Sequence, residues 1–164
     1  MAATTPMITV SEVKTQAVVN SNLDTAYLDQ YILMTQRKYI RPFLGTDFYD
    51  ELLDQLDSTA TLTSDNQTLI EDYIRPSLAH YIVYEGLPQI RNQIAKGGVY
   101  NSLSTTSDIS SGQDYGRLRD DYEAKASTLK QEINIFIKDQ QEDDSTKYPL
   151  YCGKSSQDNG IIFY

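Results

Sequence analysis

The apolar positions of the chain recur at helical spacing, and stretches alternating with a period of two are scarce. Thr9-Val10-Ser11-Glu12 has the form of a capping box, in which a threonine hydroxyl meets an orphan amide and a glutamate three residues on reaches back. It predicts a short helix from about Val10 to Val19. A second helix is expected from near Asp24, with Leu28, Tyr31, Ile32, Thr35 and Tyr39 on one face. Pro42 and Gly45 are expected to end it, because proline lacks the amide donor and glycine accepts a left-handed exit. Thr46 or Asp47 is placed to cap a third helix that buries Phe48, Leu52, Leu53 and Leu56.

Ser64-Asp65-Asn66-Gln67 forms a second capping-box pattern. It opens a long segment with Leu69, Ile70, Tyr73, Ile74, Ser77, Leu78, Tyr81 and Ile82 on one stripe. Pro76 is expected to kink this segment, and Gly86 with Pro88 to break or bend it again. Residues 96–114 carry Gly97-Gly98 and a run of Ser, Thr and Asn, which has little to bury and predicts a long polar loop. Helical periodicity returns with Tyr115, Leu118, Tyr122, Leu129, Ile133, Phe136 and Ile137, and Asp121 with Lys125 forms a favourable i,i+4 pair. After Gln141 it stops.

The fold class that follows is all-α, a small bundle of about five helices. Its parts are an N-terminal extension (1–6), a helical domain (7–141) with the loop at 96–114, and an extended C-terminal tail (142–164). Leu28, Ile32, Tyr39, Phe48, Leu52, Leu69, Tyr73, Leu78, Ile82, Leu118, Tyr122, Leu129, Ile133 and Phe136 are the expected core, because shared stripes are buried only against one another.

Composition adds three constraints. The 164 residues carry a formal net charge of −9, which argues against wrapping DNA or coating an anionic membrane, both of which need clustered cations. No apolar run approaches the ~20 residues of a membrane span, and no secretion signal is visible at Met1 to Pro6. Cys152 is the single cysteine, which points to a reducing compartment. Thirteen Tyr and no Trp are unusual: tyrosine suits half-wet subunit interfaces, or the rims of amphipathic helices.

Chemistry is sparse. His80, the one histidine, sits in the apolar pattern around Leu78 and Ile82 and is expected to be structural, since a base or metal role needs partners. Cys152 has no His nearby to activate it. The acidic groups Asp47/Asp50/Glu51, Asp120/Asp121/Glu123 and Glu142/Asp143/Asp144 match no binding-loop pattern. Arg37-Lys38 with Arg41 is the densest cationic group, expected to form a salt-bridged rim. The expectation is a non-enzyme with no catalytic residues, no metal and no cofactor.

Met7-Ile8-Thr9-Val10-Ser11-Glu12-Val13-Lys14, Gln36-Arg37-Lys38-Tyr39-Ile40-Arg41-Pro42-Phe43-Leu44-Gly45 and Asp47-Phe48-Tyr49-Asp50-Glu51-Leu52-Leu53 together resemble the head–tail connector (adaptor) proteins of tailed double-stranded DNA bacteriophages. Ile40 to Gly45 fits the I-x-x-x-L-G turn that follows the second helix of that family, and the segment from Leu69 to Pro88 is also similar. The resemblance covers roughly residues 7–94 well and the final helix loosely. It implies a virion protein, assembled in the host cytoplasm, that forms a homo-oligomeric ring under the portal and bridges it to a stopper or tail component. DNA would be passing cargo, and an acidic wall would not hold it. It also implies that the tail grips the portal, with Tyr148, Leu150, Tyr151, Ile161, Ile162, Phe163 and Tyr164 as the partner-binding residues. The competing reading of the same residues is a cytosolic helical module that binds a host factor or regulatory partner.

Overall fold

Six of the seven consecutive residues from Ser77 to Val83 are buried: Ser77, Leu78, Ala79, Tyr81, Ile82 and Val83. A helix buried around its whole circumference must be covered from several sides. The structure is a computed structural model and describes residues 5–17, 19, 26–57, 60–97 and 112–151. Its α-helices are α1 (Val10–Gln16), α2 (Ala26–Thr35), α3 (Arg41–Leu44), α4 (Thr46–Leu56), α5 (Ser64–Thr68), α6 (Arg75–Gly97) and α7 (Gly112–Asp143). Two π-helical segments, Gln36–Ile40 and Leu69–Ile74, join α2 to α3 and α5 to α6 without interruption. The described residues thus form five continuous helical rods and no strand, the all-α bundle expected. The centre is α6, with α1 and α2 against it on two sides and α7 along a third.

The two π segments share a sequence. Tyr39-Ile40-Arg41-Pro42-Phe43-Leu44 and Tyr73-Ile74-Arg75-Pro76-Ser77-Leu78 differ at one position. In both, the arginine before the proline donates its amide five residues back, Arg41 to the Gln36 carbonyl and Arg75 to the Ile70 carbonyl. A proline ring collides with the carbonyl four residues earlier in a regular helix, and the wider π turn gives it room. The rods therefore pass through Pro42 and Pro76. Each isoleucine and leucine of the pair is buried, and each tyrosine stacks on another helix, Tyr39 on Tyr81 at 3.9 Å and Tyr73 on Phe136 at 4.2 Å. The first rod stops only at Gly45, whose φ of +88° is open to glycine and costly for a Cβ-bearing residue.

Several boundaries differ from expectation for local reasons. The capping box at Thr9 and Glu12 is present, but α1 ends at Gln16 rather than Val19. Gly45, not Thr46 or Asp47, precedes α4, and Thr63 rather than Ser64 caps α5, accepting from the Asn66 amide. Gly86 and Pro88 do not break α6. Gly86 lies where a Cβ would stand 3.5 Å from the Tyr31 ring and 3.7 Å from Leu28, so its small size sets how closely α2 crosses α6. Residues 96, 97 and 112–114, expected in the long loop, are helical; the rest of that loop, residues 98–111, lies outside the described residues.

The core also extends beyond the expected set. Met7 and Ile8 are buried ahead of α1. The buried Gln36 side chain holds them like a strand partner: it accepts from the Met7 amide at 2.8 Å and donates to the Thr5 carbonyl and the Tyr49 hydroxyl. Arg75 adds a bond from Nε to the Met7 carbonyl and an ion pair to Glu12 at 2.7 Å. Residues 5 and 6 thus belong to the body rather than to a separate extension. Leu118 is corrected out of the core, being 46 % exposed, and Tyr39, Tyr73, Tyr122, Leu129 and Phe136 are half-buried.

Truncating fully buried side chains should therefore discriminate sharply. Leu52→Ala and Ile82→Ala are each expected to cost about 2–5 kcal/mol, and Leu118→Ala within about 0.5 kcal/mol. Denaturant melts of the three variants test this, and equal losses for all would contradict the packing.

Candidate functional site

The expected docking tail begins inside the fold. α7 runs to Asp143, and the chain then turns back: Asp144 accepts from the Thr146 amide at 2.9 Å and hydroxyl at 2.7 Å, and Gln141 donates to the Tyr148 carbonyl. Lys147 donates to Gln140 and lies 3.6 Å from Asp65. Tyr148 takes a left-handed φ of 49°, a conformation that costs about 1 kcal/mol or more for a residue with a Cβ and needs compensating contacts. Those contacts are extensive. Its ring meets Phe48 at 5.7 Å and Phe136 at 6.2 Å, and its hydroxyl donates to the Asp65 carbonyl. Tyr151 packs on Phe48 and Phe43, and its hydroxyl meets Asn134 at 2.9 Å.

This aromatic clasp corrects the boundary at residue 142 and two of the assigned site residues. Tyr148 and Tyr151 are 5 % and 6 % exposed and are anchors of the parent core, unavailable to a partner while the clasp holds. Leu150, between them, is 41 % exposed. Ile161, Ile162, Phe163 and Tyr164 lie outside the described residues. Burial pushes the Tyr148 and Tyr151 hydroxyls up to about 12, with the Asp65 carboxylate adding to the effect at Tyr148.

A second feature, not anticipated from the sequence, lies between α7 and the first π segment. An open cleft of about 490 Å³ is lined by Tyr39, Tyr81, Asp120, Glu123, Ala124, Ser127 and Lys130. Its floor is the Tyr39–Tyr81 stack. Tyr39 donates to Glu85 at 2.5 Å, and Lys38 pairs with the same carboxylate, which is the salt-bridged rim expected near Arg37. Burial, then the bond to Glu85, pushes the Tyr39 hydroxyl up to about 12. Lys130 closes one end, its ammonium 5.5 Å from the Tyr81 ring and 5.7 Å from Phe43. Beyond the other side, Arg119 lies over Tyr84 at 4.5 Å and donates to its hydroxyl.

Tyrosine is abundant because it ties elements together. Six described tyrosines (39, 49, 84, 122, 148 and 151) use their hydroxyls to bridge separate segments. The one signal in the sequence was the alternation of tyrosine with aliphatic residues on each stripe.

His80 is half-buried, with its Nδ1 2.8 Å from the Pro76 carbonyl and its ring against Tyr122. A carbonyl only accepts, so this contact places the proton on Nδ1. Among the described residues no three His, Cys, Asp or Glu side chains converge where they would hold a metal ion. Cys152 lies outside the described residues. No described helix is long and apolar enough to cross a membrane.

Fold and surface together define a small helical-bundle protein with a closed aromatic clasp on one side and an open aromatic cleft on another. The chain belongs to DUF6712, a family of unknown function whose model matches residues 40–161. No curated protein and no solved structure matches it.

If the clasp is part of the fold, shortening the chain after Tyr151 should leave the melting temperature nearly unchanged, whereas shortening it after Asp143 should lower stability by several kcal/mol. The clasp also sets an alkaline limit. A tyrosine ionising near 10 unfolded and near 12 folded contributes stability that is full below pH 10 and lost as pH rises through 12. Tyrosinate absorbance followed beside circular dichroism should show some groups ionising only with unfolding. Complete ionisation near pH 10 with the helical signal intact would contradict this.

Proposed function

We propose that this protein is a structural virion component: a head–tail connector that assembles as a homo-oligomeric ring beneath a portal, with DNA passing through. The observation that carries the reading is the turn from Ile40 to Gly45. Its residues are among those on which the connector resemblance rests, and in the fold Ile40 and Leu44 are buried while Gly45 takes the left-handed φ that starts α4. The acidic balance supports it further, because a ring of subunits each of net charge −9 repels rather than retains DNA. In this reading the protein is not an enzyme and requires no metal or cofactor.

The clasp narrows the portal-gripping element. With Tyr148 and Tyr151 committed to the core, residues 152–164 with the apolar end Ile161-Ile162-Phe163-Tyr164 carry the contact, joined by the exposed Leu150. Aromatic and β-branched residues favour backbone pairing with a partner's strand edge.

The open cleft also favours a second reading, a monomeric helical module that binds a host or regulatory partner. Electron microscopy of the purified chain, alone and mixed with a candidate portal, separates the two. Rings on the portal are expected, and the chain ending at Tyr151 should stay folded yet lose attachment. A protein that remains monomeric under both conditions would overturn the connector reading, and undiminished attachment of the shortened chain would overturn the role of the tail.

A further inference from the structure

A closed ring needs a heterologous contact, in which two different patches on opposite sides of each subunit meet. The long helix α7 presents two such patches. At 100° per residue, Asp120, Glu123, Ala124, Ser127 and Lys130 share the flank facing the Tyr39–Tyr81 cleft. Ala126, Ile133 and Ile137 form the buried stripe next to it. Across that stripe, on the α1 side marked by the bond from the Tyr122 hydroxyl to the Ala17 carbonyl, the helix carries Leu118 and Lys125.

The two flanks are complementary. Leu118 is a large aliphatic side chain left 46 % exposed, and the cleft offers an aromatic floor beside the small side chains Ala124 and Ser127. The cleft rim carries the carboxylates Asp120 and Glu123, while Lys125 lies two turns along α7 from Leu118 on the opposite flank, with Asp121 between them. Lys125 pairs with Asp121 at 2.6 Å, but both side chains are more than half exposed. Such a pair is worth little in water, so exchanging it for a carboxylate across an interface costs little. We infer that the Tyr39–Tyr81 cleft of one copy receives the Leu118–Lys125 flank of α7 from the next copy, and that this is the contact between successive subunits. The inference rests on the ring reading and names its interface.

Sedimentation and negative-stain microscopy of the full chain test it, with circular dichroism melts as the folding control. The wild type should form rings. Leu118→Glu, and separately Asp120→Lys with Glu123→Lys, should shift the protein to monomer with unchanged melts, since these sites are at the surface. Adding Lys125→Glu to the double lysine variant should restore the ring. Rings that persist in both disrupted variants would leave the connector reading standing and overturn this interface. A loss that Lys125→Glu does not restore would overturn the Lys125 flank as the occupant. A wild type that forms no ring, alone or with a portal, would remove the connector reading and this interface with it.

Discussion

The structure depends on covering α6 from several sides. A helix with Leu78, Ala79, Ile82 and Val83 at or near zero exposure cannot exist in water until other apolar faces are laid on it. α1, α2 and α7 are those faces, and each brings its own means of holding on. α1 arrives through Met7 and Ile8, held by the Gln36 amide and the Arg75 guanidinium. α2 comes close because Gly86 has no side chain, and α7 lies along the remaining side with Ala126 against Ser77, whose hydroxyl donates to the Ala126 carbonyl.

Two further features follow from that geometry. Two of the rods run on through a proline, Pro42 before α6 is met and Pro76 in the first turn of α6 itself, and the shared Tyr-Ile-Arg-Pro-x-Leu sequence allows this by widening one turn. The proline then keeps its place in the helix, and the tyrosine before it reaches across to a second rod. Past the end of α7, Tyr148 and Tyr151 pack their rings on Phe48, and Tyr148 also packs on Phe136 of α7. Burying two large rings there offsets the left-handed backbone at Tyr148.

Much of this was legible in the chain, because helical periodicity is a strong local signal. The stripes of α4 and α6, the capping box at Thr9 and the Asp121–Lys125 pair all appear where the spacing puts them. What escaped is what depends on a neighbour. Gly86 looks like a breaker until Tyr31 and Leu28 occupy the space beside it, and Pro42 looks like a stop until the turn before it widens. Tyr148 and Tyr151 look like a free tail because nothing local shows that Phe48, distant in sequence, lies beneath them. The cleft combines side chains from three helical rods, and no single stripe announces it.

Native-state hydrogen exchange tests the enclosure of α6 most directly. Coverage from several sides predicts that the amides from Leu78 to Val83 exchange only through global unfolding, with the largest protection in the chain, while those of α1 open at lower free energy. Exchange of these α6 amides as fast as those of α1 would contradict the central place given to this helix.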